Sequence, residues 1–370
     1  MPEPRRILIL GGYGSTGRCL SRLLIAHTTV VITVAGRDAS RAQTLCHDLA
    51  SPRAAPLQVD ARDPAALRTA IAGHHLVLLA APGANLPALV AEAAPDAGAD
   101  YLDVVYPPSK QPALNALALR IDAAGLCFVT EAGFHPGLPS LLVRWAAGQC
   151  DVLETADVAS LIRMRIPSGR AVPDSAVELI DNLTASPMSE FHDGAWQEIG
   201  WTRWPYRPFD FGPGLGTLQC VPLYFDELRA ALAPHPELHS TRFLMAGFGA
   251  FTDWVAMPLI FVLQAVARQA TRKFCADLLW WSIQHFTSPP FGTILAVRYT
   301  GLRDGRAVSG CLRLRHEDEY PFTAIPVVAF LLQWLYGVIP PDLHYMGMAA
   351  DPARLLADMG ALGIVEDYPG

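Results

Sequence analysis

A glycine-rich loop stands where a short apolar run meets the start of a helical pattern. Ile7 to Leu10 reads as a buried strand, and Gly11-Gly12-Tyr13-Gly14-Ser15-Thr16-Gly17 follows it directly. Cys19, Leu20, Leu23 and Leu24 then fall on one helical face. Gly12, Gly14 and Gly17 give the spacing GxGxxG in the strand–turn–helix context that the motif requires. In that setting Gly12 permits the tight turn, Gly14 lets the backbone approach a pyrophosphate, and Gly17 lets helix and strand pack closely. The helix N-terminus then offers unpaired N–H groups and positive potential to phosphates.

The alternation continues along the first half of the chain. Residues 30–35, 57–59, 76–80, 101–106 and 126–130 read as further strands, and 40–49, 64–72, 86–94 and 114–124 as helices. Continuous apolar strands between helices predict a parallel sheet covered on both faces. The fold class expected is α/β: a Rossmann doubly wound parallel sheet plus a second mixed α/β domain. The boundaries read as 1–148 for the dinucleotide-binding domain and 149–320 for a substrate and dimerisation domain. Helices in 321–370 are expected to return to the first domain. In the middle part, 152–166 and 218–223 read as strands, and Trp196, Trp201, Trp204 and Tyr206 mark an aromatic segment. Residues 254–286 read as a long, broken helix with Pro258 near its start, and 293–300 and 307–315 as a hairpin around 301–305.

The strand ends set the chemistry, because ligands of such sheets bind at the carboxyl ends of the strands. The second strand ends Val34-Ala35-Gly36-Arg37-Asp38. Arg37 suits a ribose 2′-phosphate, which points to NADP; Asp38 is the competing NAD reading. Asp60 ends the third strand as an adenine contact or a turn cap. Ala81 and Pro82, after the fourth, offer a small surface for the nicotinamide half. The cofactor-binding candidates are therefore Gly12, Tyr13, Gly14, Ser15, Thr16, Gly17, Arg37, Asp60, Ala81 and Pro82. His135, Tyr106 and Asp103 are the acid/base candidates at the ends of the fifth and sixth strands. Lys110 is the only lysine of the cofactor half. Arg163, Arg165, Arg170 and Arg242 are candidates for binding a substrate carboxylate. Each of these residues also has a purely structural reading. No metal site is expected.

Composition narrows the partners. With 51% hydrophobic and 17% charged residues the chain is not disordered, and its formal net charge of −7 argues against nucleic acid. Seven scattered cysteines without CxxC spacing fit free thiols in a reducing compartment. Residues 1–6 lack the apolar run of a signal peptide, so a cytoplasmic location is expected. Residues 255–267 are apolar but too short to cross a bilayer, and 327–336 read as a buried helix. The apolar second half suggests a homodimer interface; membrane contact is the less favoured alternative. A lipid-facing protein would expose 255–267 or 327–336.

The GGYGSTG loop at 11–17, AGR at 35–37, YLDVVY at 101–106 and GFHPGLPSLLV at 133–143 resemble the saccharopine dehydrogenase family, in its NADP-binding-domain branch. The resemblance is clear over about residues 5–148 and continues more loosely to TAIPVVAFLLQ at 323–333. It implies a Rossmann domain, a mixed α/β substrate and dimerisation domain, and NAD(P)-dependent oxidoreduction at a carbon–nitrogen bond of a small metabolite. An apolar substrate with the same cofactor, or an NADP(H)-binding sensor or scaffold without turnover, are the other readings.

Overall fold

The computed structural model describes residues 3–83, 85–106, 108–166, 172, 176–177, 180, 188–199 and 206–368. Arg170, Trp201 and Trp204, singled out above, lie outside these. The chain forms two compact units, Met1–Leu141 with Tyr320–Gly363, and Leu142–Glu319 with Ile364–Gly370. Strands are numbered in chain order among the described residues.

In the first unit the strands are β1 (Arg6–Leu10), β2 (Val31–Gly36), β3 (Ala54–Gln58), β4 (Leu76–Leu79), β5 (Asp100–Asp103) and β6 (Cys127–Thr130). They are joined by β15 (Asp342–Tyr345) in one sheet of order β3-β2-β1-β4-β5-β6-β15. Every pairing in it is parallel. Ile7, Leu8, Ile9 and Leu10 are all inaccessible or nearly so, as both faces of a central strand must be when helices cover them. Helix α1 (Ser15–His27) follows β1, and α2 (Ala39–Leu49) follows β2. The α/β doubly wound reading therefore holds.

Three local expectations change. The fifth strand stops at Asp103, leaving Val104–Tyr106 irregular, and the helix expected at 114–124 is two helices, Gln111–Ala116 and Ala118–Ala124. The apolar segment at 327–336 is part of a longer buried helix, Glu319–Leu335. That helix docks by Trp334, whose indole N–H donates to Asp100 Oδ2 at 2.8 Å, and by Phe322, stacked 4.8 Å from Phe134. At the sheet's edge, Ile32 N–H donates to Arg53 and Val59 N–H donates to Gly36. The odd-numbered residues of β3 thus face β2, and Pro56 points its missing N–H outward, as proline in a strand must.

Inside the same unit lies a buried ion pair. Asp103 is fully inaccessible and Lys110 is 2% exposed, and Lys110 Nζ donates to Asp103 Oδ1 at 2.6 Å. Tyr101 OH (2.9 Å) and Thr130 Oγ1 (2.8 Å) donate to Oδ2, and the Glu131 N–H donates to Oδ1 at 3.3 Å. Burial beside this carboxylate pushes the Tyr101 phenol well above its ordinary value, so it stays a donor.

The second unit holds a mixed sheet of order β10-β11-β12-β7-β13-β14-β16, with β8 and β9 attached through β12. Its strands are β7 (Val152–Arg163), β8 (Ser189–His192), β9 (Ala195–Glu198), β10 (Arg207–Asp210), β11 (Thr217–Leu223), β12 (Ser240–Ala246), β13 (Gly292–Arg303), β14 (Arg306–His316) and β16 (Val365–Asp367). β12 and β7 are parallel and the other pairings antiparallel. The β13–β14 hairpin turns more tightly than expected: both strands run through to Arg303 and Arg306. Asp304 and Gly305 take φ of 51° and 69°, the conformation of a two-residue turn. The long helix Met257–Phe286 is broken, as expected, and the break lies at Ala267 (φ −148°, ψ 58°). A turn of π-helix, Thr252–Ala256, runs straight into this helix, and Pro258 sits where that wider turn gives way to α-helix. At the break, the Thr271 hydroxyl is within reach of the Leu263 and Ala267 carbonyls, 3.2 and 2.9 Å away.

Removing the cation of the buried pair would leave Asp103 charged and uncompensated. Lys110→Met is expected to lower unfolding stability by about 3–5 kcal/mol, read from urea denaturation.

Candidate functional site

The glycine loop is built on backbone-to-backbone contact. Gly11 takes φ +83° and donates its N–H to Ala35 O at 2.8 Å. A Cβ on Gly17 would lie 2.2 Å from the Gly11 carbonyl oxygen, so α1 can start this close to β1 only with glycine there. Gly14, the N-cap of α1, offers no side chain to the first-turn N–H groups. Ser15 is exposed and Gly14 and Thr16 half-buried, so this uncapped turn opens to solvent, ready for phosphate. On the far side of Gly11 stands the backbone of Ala80 and Ala81 at the end of β4, with Pro82 exposed after it.

At the end of β2 the side chains sort the two cofactor readings. The Asp38 carboxylate accepts the Arg41 N–H at 3.0 Å and caps α2, and the Asp38 N–H donates to Tyr13 OH at 2.9 Å. The Tyr13 ring lies over Gly36, and the Arg41 guanidinium sits 4.8 Å from its centroid. Tyr13, Arg37, Asp38, Ala39, Ser40, Arg41 and Gln58 line an open cleft. Of these, Asp38 has Oδ1 taken up by the α2 cap, and Arg37 and Arg41 bring two positive charges beside it. Arg41, Ser40 and Gln58 were not among the sequence candidates. Arg41 stands four residues after Arg37, a spacing that would have flagged it once a helix was placed after Asp38.

Asp60 accepts from Arg62 at Nε (2.9 Å), Nη2 (2.7 Å) and the backbone N–H (3.1 Å). These bonds hold its carboxyl down to about 2. It caps the turn after β3 and stays on the surface.

Of the three acid/base candidates, Asp103 has both oxygens filled by the four donors described above. That makes it an anchor between the ends of β5 and β6. Tyr106 is half-buried just beyond β5. His135 lies in the loop after β6, its ring 3.7 Å from the Phe134 centroid, with Nε2 inaccessible to solvent. Burial pulls its imidazole down to about 3, so it is neutral at pH 7.

These residues fit NADP(H): the uncapped turn of α1 for the pyrophosphate, and Arg37 and Arg41 for the 2′-phosphate. When bound, the cofactor supplies or accepts a hydride.

The His135 shift has a definite sign. Its pKa in the folded chain lies below the unfolded value, so the unfolded state binds the extra proton between about pH 6.5 and 3. Stability is complete above that window and falls as pH drops into it, by on the order of 2 kcal/mol at pH 5. His135→Gln is expected to flatten the pH 7-to-5 loss seen in urea melts, whatever its effect at pH 7.

Residues 7–129 match the family model for the saccharopine dehydrogenase NADP binding domain. Among solved structures, saccharopine dehydrogenase (L-Glu forming) from Saccharomyces cerevisiae matches with TM-score 0.72 at 16% identity, over 99% of this chain and 100% of that one. An engineered D-amino acid dehydrogenase bound to NADP+ matches at TM-score 0.49 and 14% identity, over 97% of this chain and 99% of that one. C. glutamicum DAP dehydrogenase in complex with DAP matches at 0.48 and 15%, over 96% and 98%. Residues 7–129 thus match a saccharopine dehydrogenase NADP-binding domain, and the chain as a whole has the fold of saccharopine dehydrogenase.

Proposed function

We propose that the protein uses NADP(H) to reduce or form a carbon–nitrogen bond in a small metabolite that carries a carboxylate. The observation that carries the reading is the basic cleft at Tyr13, Arg37 and Arg41, with Asp38 occupied as a cap. A dianionic 2′-phosphate gains charge-assisted hydrogen bonds to the guanidinium groups there, where NAD(H) presents only a neutral 2′-hydroxyl.

The substrate half of the reading rests on one face of the second sheet. Cross-strand pairing places Leu161, Ile294 and Arg315 side by side, and Ala159, Ala296 and Arg313 in the next row. Arg163, paired with Gly292, belongs to the same face at the same end of the sheet. Arg313 is 5% exposed; its Nη1 and Arg315 Nη2 share only Asp367, at 3.4 and 3.6 Å. Nε of Arg163, Arg313 and Arg315, and Nη2 of Arg315, are buried without a hydrogen-bond acceptor among the described residues. Buried guanidinium donors left this way are costly, and a carboxylate is the acceptor whose geometry satisfies them. Arg242 serves otherwise: it forms a bidentate pair with Asp157 at 2.8 and 3.0 Å. Arg165 is exposed.

The test is titration of the purified protein with NADPH and NADH, followed by nicotinamide fluorescence. Arg37→Ala and Arg41→Ala should each weaken NADPH by roughly 10–100-fold and leave NADH nearly unchanged. Equal affinity for the two nucleotides in the unaltered protein would sink the NADP assignment. Turnover is then screened with pairs of amines and 2-oxo acids. Tight NADPH binding with no turnover of any carboxylate-bearing pair would return the protein to a nucleotide-binding role without this chemistry.

A further inference from the structure

The second sheet carries arginine–carboxylate contacts of two kinds on one face. Toward one side, Arg242 meets both oxygens of Asp157 at 2.8 and 3.0 Å, and Arg207 meets both oxygens of Glu190 at 2.8 and 3.2 Å. Bidentate pairs of this kind hold two side chains in one geometry. Toward the other side stand Arg313 and Arg315, and there the carboxylate fits poorly. Asp367 Oδ2 lies 3.4 Å from Arg313 Nη1 and 3.6 Å from Arg315 Nη2. The first distance is at the outer limit of a hydrogen bond and the second is beyond it. Nε of both arginines, and of Arg163 at the same end of the face, is buried without an acceptor among the described residues.

The strand that brings Asp367 is lightly held. β16 has three residues and lies at the border of the sheet, against β14. Its register puts Asp367 opposite Arg313 and Val365 opposite Arg315. Val365 and Tyr368 are both largely exposed. The Asp367 side chain is 42% exposed and that of Arg313 6%, so the carboxylate stands on the solvent side of the guanidinium. Beyond it, the Tyr368 ring lies 6.1 Å from that of Trp145 and tethers the chain.

We propose that Asp367 is a stand-in for the substrate: it neutralises the arginine site when no substrate is bound and gives way to the substrate's carboxylate. This rests on the carboxylate reading of Arg163, Arg313 and Arg315 given above. Guanidinium groups this close and this little hydrated are costly to hold without an anion beside them. A carboxylate on the protein's own chain relieves that cost, through a contact loose enough to exchange. An incoming carboxylate brings two oxygens to the Nε edges that Asp367 leaves unfilled, and so reaches the bidentate geometry that Asp367 does not. The exchange lowers apparent affinity by the fraction of time that Asp367 holds the site. It also couples binding to the border of the sheet. Once Asp367 is displaced, β16 keeps its backbone ladder to β14 and the Tyr368–Trp145 contact but loses its ion pairs.

The test uses the full chain, with and without NADPH, and acetate and glutarate as probes in titration calorimetry. Asp367→Asn keeps the shape of the side chain and removes its charge; Arg315→Met removes one guanidinium; urea melts confirm that both variants fold. Asp367→Asn should bind glutarate roughly tenfold tighter than the unaltered chain, and Arg315→Met about tenfold more weakly. In the unaltered protein, amide hydrogen exchange at residues 365–367 should speed up when glutarate saturates the site, a reading that needs no variant. Binding that depends on Arg315 but is unchanged or weakened by Asp367→Asn would overturn the stand-in and leave the carboxylate site standing. Exchange in β16 that is unchanged or slowed would do the same. No binding of either probe, or binding indifferent to Arg315→Met, would remove the carboxylate reading and the proposal with it.

Discussion

The contact between Gly17 and the Gly11 carbonyl governs the cofactor half of this molecule. With no side chain between them, α1 begins against the end of β1, and its uncapped N–H groups come to the crest of the sheet. The same closeness brings Gly11 against the backbone of Ala80 and Ala81, so three chain segments share one narrow seam. A methyl group on Gly17 would have to displace main chain, and main chain in a sheet core has nowhere to go. The nucleotide cleft, the direction of α1 and the spacing of β1 and β4 are one geometric fact.

A second anchor lies deeper. The Asp103 carboxylate draws donors from residues 101, 110, 130 and 131, and so binds the exits of β5 and β6 together. A buried ion pair contributes little net stability compared with an apolar replacement of the same shape, but it fixes where each partner must be. Here it fixes the floor of the crevice. The two charges of the pair compensate each other, while Arg163, Arg313 and Arg315 of the second sheet keep guanidinium nitrogens without an acceptor among the described residues.

The first sheet was legible because its signals are local. The central strands are short apolar runs, α2 starts on its own cap, and the glycine loop states its own context. Arg37 was legible for the same reason. What escaped the sequence depends on contacts between distant residues. Asp103 looks like any acid at a strand end until Lys110 and Thr130 are placed beside it. Asp38 looks like a ribose acceptor until α2 is seen to begin on it. The row of Arg313 and Arg315 beside Arg163 exists only through the register of three strands, which the hydrophobic pattern of any one of them does not specify. The break in the long helix was expected, but its place at Ala267 was not legible, because a threonine hydroxyl near two carbonyls leaves no pattern.

Pro56 has a consequence for how this molecule meets others. It stands on the outermost strand of the first sheet with its ring, in place of a donor, turned away from β2. A neighbouring strand arriving there would find the hydrogen-bond ladder interrupted at its middle rung. Open sheet borders invite further strands, from other molecules or from misfolded copies, and a single imino acid is enough to refuse them. Continuous growth of this sheet across that border is closed off, and association of the first unit on that side is left to side chains.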